Sequence, residues 1–413
     1  MSIADNVRKP TVLILGAGFG GLELAACLSE SLPEAGVELI DHNDGFTFGF
    51  TKLDILFRGR TPESVRISYA DLACPGVEFR QESVTSIDPQ TRRVVTDAAS
   101  YEPDFLVVAL GTDYDPAATP GFIEDGHEYY SIQGACRLRD RLALFDGGTI
   151  VTAVLSVPFQ CPPAPYEGAM LLHELLTRRG LRDRTRMHML TPMDSPIPVS
   201  ADTSAALVEA LARRGIDYSP GTRVHALDPK QHVAATDAGD LAYDLFIGIP
   251  THCVPPVVEA SGLTVGGADG WIHVDPRTLA TRYPGVYAIG DCADAPVPRA
   301  GVFAEDAART VAAHIGARLH GTPDPEKYLG RGSCYIEFGD GLVGKVDADF
   351  LSGPTPIAPF DPPSAELAIE KAEFAATRIR RWFHLVSRMA PTGCSSRPPE
   401  TSLGNTPTQN SPR

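Results

Sequence analysis

No run of about 18 apolar residues occurs in the chain, so no helix is expected to span a bilayer. The opening residues, MSIADNVRKP, carry no apolar signal core, and a cytoplasmic protein is expected. There is no CxxC pair, which removes the commonest structural zinc site. The eleven His include no HExxH, so no metal is expected. The eight Cys are scattered, unlike the framework of a small secreted disulfide protein. Basic residues are outnumbered 36 to 52, giving a formal charge of -16. That balance argues against a broad nucleic-acid surface.

What remains is ordinary for a folded protein, with 43% hydrophobic and 21% charged residues. A chain of 413 residues exceeds one usual core, so two or three domains are expected. An apolar strand at 11–15 leads into a glycine loop and a helix. The next strand, 37–40, closes on Asp41, and an apolar run at 105–110 closes on Gly111. A second strand-turn-helix unit starts at 149–157, with its helix at 166–179. Strand 186–190, helix 203–214 and strand 245–249 follow, the last mirroring 105–110. Strands alternating with helices predict an α/β fold with two Rossmann-like units and parallel sheets. Further on come the strand VYAIGD, a helix at 305–319, two strands around the Gly339–Gly341 turn, and a proline-rich linker at 354–363. The expected domains are 9–115 with 282–330, then 116–281, then an interface region at 331–390. A polar tail at 391–413 is expected to be disordered.

Gly16, Gly18 and Gly21 form GxGxxG between a strand and a helix. The first glycine permits the turn, the second lets a pyrophosphate approach, and the third lets helix and strand pack closely. The free N–H groups of the helix start suit a phosphate. Asp41, twenty residues after Gly21, can accept from a ribose diol. Gly111 ends a later strand, and Gly290 and Asp291 end another in TRYPGVYAIGDCAD. These three segments resemble the signatures of the flavoproteins with two dinucleotide-binding domains, the disulfide-reductase-like superfamily. The resemblance implies FAD. It places Ala17, Phe19, Gly20, His42 and Ala109 in the same cradle, Val84 at the adenine, and the backbone near Val302 and Phe303 at the pyrimidine side of the isoalloxazine.

A second glycine loop is missing. After the strand TIVTAVLSVP the chain reads FQCPPAPYE, with no glycine until Gly168. Proline donates no N–H to phosphate, so NAD(P)H is not expected as the reductant. Cys161 stands there instead, just ahead of a helix whose N-terminus would lower a thiol pKa. The segment PFQCPPAPYE resembles the active-site stretch of sulfide:quinone oxidoreductases and of flavocytochrome c sulfide dehydrogenase flavoprotein subunits. That resemblance implies a partner cysteine, Cys334 in GRGSCYIEFGDG, and a proton-handling acid, Glu167. It also implies chemistry: a sulfur nucleophile attacks a Cys161–Cys334 bridge, a persulfide forms, and two electrons pass through flavin to quinone.

The sequence departs from the family in places. Cys136 lies on a helix with no following histidine and receives no catalytic role. Gly49 stands where the flavocytochrome type carries its covalent cysteine, so FAD is expected without a covalent link. Cys27, Cys74, Cys253, Cys292 and Cys394 read as structural or incidental. Residues 365–390 form a candidate amphipathic helix with Ile379, Trp382, Phe383, Val386 and Met389 on one face and Arg378, Arg380, Arg381 and Arg388 beside it. Such a helix suits either an anionic membrane interface or the body of the protein, so attachment to the inner face of the membrane is one expectation. Tyr335, Phe338 and Phe360 are candidates for a quinone slot. A homo-oligomer is possible. The alternatives are a subunit donating electrons to a cytochrome, an NADH:quinone oxidoreductase, and a non-catalytic FAD-binding protein.

Overall fold

A computed structural model describes residues 8–266 and 270–384. Two parallel five-stranded sheets organise it. In the first, Val286–Ala288, Phe105–Val108, Thr11–Leu15, Gly36–Asp41 and Val77–Gln81 lie side by side in that order. In the second the order is Gly126–His127, Leu245–Ile249, Gly148–Val154, Thr185–Leu190 and Ile216–Ser219. The central strands are apolar on both faces because helices cover both faces of a parallel sheet. Leu13, Ile14 and Leu15 are accordingly buried, as are Val151, Ala153 and Val154.

Each half also carries a three-stranded antiparallel meander: Val84–Asp88, Arg93–Thr96 and Ser100–Tyr101 in one, and Val224–Asp228, Val233–Thr236 and Gly239–Ala242 in the other. The expected internal repeat is thus a repeat of whole units. The halves are joined by the antiparallel pair Asp113–Asp115 and Thr251–Cys253. The chain re-enters the first core earlier than 282, because Val254, Val258, Trp271 and Ile272 already pack there.

Residues 354–363 are not only a linker: Phe360–Ser364 adds a third strand to the Arg331–Gly339 and Leu342–Asp349 hairpin. The helix Ala365–Trp382 follows, with Ser364 capping it by accepting from the Leu367 N–H. Ile379, Trp382 and Phe383 are fully buried against Phe19, Phe46 and Phe48 or their neighbours in the first core. The described part of the apolar stripe, Ile379, Trp382 and Phe383, therefore faces the protein. Its cations are engaged as well: Arg378 holds Glu305 at 2.6 Å, and Arg380 pairs with Glu373. Arg381 reaches Glu23 at 2.8 Å and Glu30 at 3.0 Å. Val386, Arg388, Met389, Cys394 and the 391–413 tail lie outside the described residues. Among the described residues no helix is long and apolar enough to cross a membrane.

Glu23 is the anchor of this docking. It is 1% exposed and accepts from Arg309, Arg381 and the Trp382 indole. Burial raises its pKa, but these donors outweigh burial and hold it below the usual carboxylate value. Arg381→Ala would leave a buried anion with Arg309 as its one cation, and a loss of about 2–3 kcal/mol is expected. A urea midpoint shift at unchanged slope measures it. A midpoint equal to that of the parent would contradict the assignment.

Candidate functional site

The glycine loop is built as its spacing suggests. A Cβ at Gly21 would lie 1.9 Å from the Gly16 carbonyl oxygen, so only hydrogen lets the helix sit this close to the strand. Gly16 has φ +100°, and a Cβ there would strike the Ala109 carbonyl at 2.3 Å. Gly18 faces open space, and a methyl group at its Cα would meet nothing within 4 Å. The helix Phe19–Ser31 starts from Gly18 with no side-chain cap, which leaves its first N–H groups for a ligand. The helix Gly301–His320 begins at the same cavity, also uncapped by a side chain.

That cavity measures about 1060 Å³. Gly16, Gly18, Phe19, Gly20, Asp41, His42, Val84, Ala109, Gly111, Gly290, Asp291 and Val302 all line it. Ala17, Gly21 and Phe303 do not. The Ala17 N–H donates to Asp41 Oδ2 at 2.8 Å, so this residue fixes the acid from behind. Gly21 serves the helix–strand contact. The Phe303 ring packs edge-on against Phe350 in a small core that also holds the cavity-lining Val302. Asp41 thus does double duty, because its other oxygen accepts from the Asn43 backbone N–H at 2.8 Å and side-chain amide at 2.9 Å.

Cys161, Cys334 and Glu167 form a further stretch of the cavity wall, with Cys334 and Glu167 near enough to act on the Cys161 thiol. Topology brings them together. Cys161 lies in the loop after Gly148–Val154. Glu167 lies in the first turn of Ala164–Arg178, and Cys334 on Arg331–Gly339, which packs against that helix. Both cysteines are free thiols. Cys161 has φ +51°, a left-handed conformation costing on the order of 1–3 kcal/mol that its surroundings must impose. Its N–H donates to the Arg299 carbonyl at 2.7 Å, and its own carbonyl accepts from Ala164 N–H at 2.9 Å.

The electrostatics correct one expectation. Burial, with the Glu167 carboxylate and Cys334 beside it, pushes the Cys161 thiol well above its ordinary value. The benefit of a helix start is overwhelmed by the low-dielectric wall. Cys161 is nonetheless exposed as a residue, and it lines the cavity. Burial likewise pushes Cys334 up to about 12. Glu167 is 3% exposed, and burial raises its carboxyl to about 7 against the pull of Lys371, whose Nζ is 4.0 Å away. Its Oε1 accepts from the Glu337 N–H at 2.9 Å. Lys371 is held at 2.6 Å by Glu337, which Arg58 also grips. Burial opposes ionisation of Glu337, but those two cations bring it down to about 2.

Several residues of this wall carry little signal in the sequence. Lys52 lies in the cavity and donates to the Tyr130 carbonyl, and burial lowers its pKa. A lone lysine in TKLDILF is the one hint of it. Lys371 sits in the helix whose pattern also suits a membrane face. Gln160 stands beside Cys161 without a motif of its own. Of the quinone-slot candidates, Tyr335 lines the cavity and donates to Glu370 at 2.8 Å. Phe338 and Phe360 instead pack on each other in the second core. Cys136 packs against that same core.

The residues fit FAD on structural grounds. The Thr112 hydroxyl is buried at the cavity with no protein partner, which suits a ligand hydrogen bond. Two uncapped helix starts supply N–H groups for the pyrophosphate. Residues 166–314 match the pyridine nucleotide-disulphide oxidoreductase family. The chain is 26% identical to a sulfide-quinone reductase of Aquifex aeolicus over 400 residues, covering 90% of this chain and 87% of that one. The solved sulfide:quinone oxidoreductase structure from Aquifex aeolicus superposes with a TM-score of 0.80 at 22% identity, covering 90% and 91%. This chain is an FAD-dependent oxidoreductase. The flavoprotein has the fold of the disulfide-reductase-like family with two Rossmann-like units. It is also 25% identical to a type II NADH:quinone oxidoreductase of Staphylococcus saprophyticus, over 85% of this chain and 92% of that one.

Proposed function

We propose that this flavoprotein oxidises sulfide, or a related small sulfur nucleophile, through Cys161 and Cys334 and delivers the electrons to a quinone. The observation that carries this reading is that both thiols and the buried Glu167 share a wall of the cavity built for FAD. In the bridged form of the pair, HS⁻ attacks one sulfur. The Cys–Cys bond breaks, a bond to the incoming sulfur forms, and the second cysteine leaves as thiolate. Closing a trisulfide bridge between persulfide and thiolate releases one proton and two electrons. Glu167, with a carboxyl that titrates near 7, is the base at hand for the proton. FAD held by the glycine loop and the Asp41 and Asp291 segments would supply the two-electron acceptor, with quinone as the proposed final acceptor. No covalent tether to FAD is expected at Gly49, which has no nucleophilic side chain.

The staphylococcal relative favours a second reading, NADH:quinone oxidoreduction. Against it stands the path of residues 155–163, which carry three prolines and turn back to the flavin cavity through the Gln160–Arg299 bridge. Anaerobic titration with sulfide and, separately, NADH tests the two. Loss of the oxidised-flavin absorbance with sulfide and not with NADH is the expected result. Loss with NADH alone would replace the sulfide reading by the second one.

A further inference from the structure

Gln160 is the most heavily tied residue of the cysteine loop. Its backbone N–H donates to His252 Nε2 at 3.2 Å, and its carbonyl accepts from Tyr130 Oη at 3.0 Å. Its side-chain oxygen accepts from Tyr114 Oη at 2.9 Å, and its side-chain nitrogen donates to Asp291 Oδ2 at 2.7 Å. His252 is set to accept because its Nδ1–H donates to the Pro250 carbonyl at 2.8 Å, and burial holds the ring neutral by lowering its pKa to about 4. The next residue, Cys161, is tied to the Arg299 carbonyl, while Arg299 Nε donates back to the Asp291 carbonyl at 3.1 Å. Two routes thus run from Cys161 to Asp291, and both leave the cysteine in its left-handed conformation.

We propose that Gln160 is a positioning residue that ties Cys161 to Asp291, so that the seating of FAD and the geometry of the redox thiol are coupled. The coupling rests on Cys161 as the redox thiol and on Asp291 as a cofactor-binding acid. An amide is the side chain this place demands. It offers an acceptor toward the Tyr114 hydroxyl and a donor toward a carboxylate, at any pH. Glutamate offers the same pair only when protonated. Ionised, it sets a second negative charge against Asp291 in a buried site.

The experiment compares the FAD-loaded parent with Gln160→Leu and Gln160→Glu. One readout is the rate at which iodoacetamide alkylates Cys161, located by peptide mass spectrometry. The other is FAD affinity, from fluorescence titration of the apoprotein. Gln160→Leu is expected to raise the alkylation rate and weaken FAD binding, each by about fivefold, the equivalent of one ordinary hydrogen bond. Gln160→Glu is expected to match the parent at low pH and to approach Gln160→Leu as pH rises. The cations facing Asp291 are Arg299 and Lys52, and Glu128 faces Lys52. Of the other titrating neighbours, Tyr114, Tyr130 and Cys161 are pushed up by burial and His252 is pushed down, while burial raises Asp291 and brings Glu167, beside Cys161, to about 7. The parent and Gln160→Leu carry both of those groups, so the introduced carboxyl is read as the difference between Gln160→Glu and the parent at each pH.

Parent-like alkylation and FAD affinity in Gln160→Leu would overturn the proposal. So would a Gln160→Glu variant whose ratio to the parent stays flat with pH. If Gln160→Leu fails to fold, the pH series on Gln160→Glu decides by itself. Neither readout uses sulfide. A parent that sulfide does not reduce, together with the expected shifts, would remove the sulfide reading and leave the clamp standing.

Discussion

Cys161→Ser is expected to keep FAD and to lose sulfide-driven flavin reduction by on the order of 10³-fold or more. A hydroxyl cannot form a bridge to Cys334 or carry a persulfide, so the variant removes the reaction path and not merely a contact. The side chain differs by one atom and faces a cavity, so folding should be little affected. Stopped-flow bleaching of the oxidised flavin measures the rate. Cys334→Ser should show the same loss. Cys136→Ser should not, because that thiol lies on the helix Ile132–Ala143 and packs on the second core. Reduction of Cys161→Ser at the rate of the parent would sink the cysteine mechanism.

Glu167→Gln is expected to lower the rate of the same step by about 10²-fold at pH 8 and to erase one limb of its pH profile. The sign follows from burial. Desolvation raises the carboxyl to about 7, so the base form is scarce in acid and grows as pH rises through that value. The parent should therefore speed up across this range, and the amide variant should lose the part of that rise that belongs to the enzyme. Sulfide itself titrates in a similar range, so a second variant is needed to separate the two. Lys371 draws the Glu167 carboxyl down from 4.0 Å. Lys371→Met should move the enzyme's limb to higher pH and leave the substrate's ionisation where it is. A limb that stays fixed in Lys371→Met, and persists in Glu167→Gln, would assign it to sulfide and take the proton role from Glu167.

Much of the architecture is legible because it is local. Gly16, Gly18 and Gly21 lie within six positions, and their spacing reflects steric limits at one turn. The apolar strands at 11–15, 105–110 and 245–249 announce themselves because both faces of a parallel sheet are buried. Boundaries are less sharp. The helix expected at 305–319 begins at Gly301, since its uncapped start belongs to the cavity and carries no sequence cap.

The C-terminal helix shows where local pattern stops. Ile379, Trp382, Phe383 and the arginines beside them fit a membrane face and an interior face equally well by periodicity. Glu23, more than three hundred residues away, settles the matter by offering a buried anion to Arg381 and the Trp382 indole. The state of Cys161 is set in the same way. Its place before a helix argues for a low thiol pKa, but burial of the thiol, with Glu167 and Cys334 beside it, raises it.

The two-unit α/β plan, the dinucleotide cradle and the cysteine standing in place of a second phosphate loop are all written in the chain itself. They depend on residues close together in sequence, where spacing and backbone sterics speak directly. Folding in three dimensions is what puts Cys161, Cys334 and Glu167 on one wall, ties that wall to Asp291 through Gln160, and turns the last described helix inward. Each of these is a meeting of distant segments, and its energy lies in burial and charge pairing that no local pattern encodes.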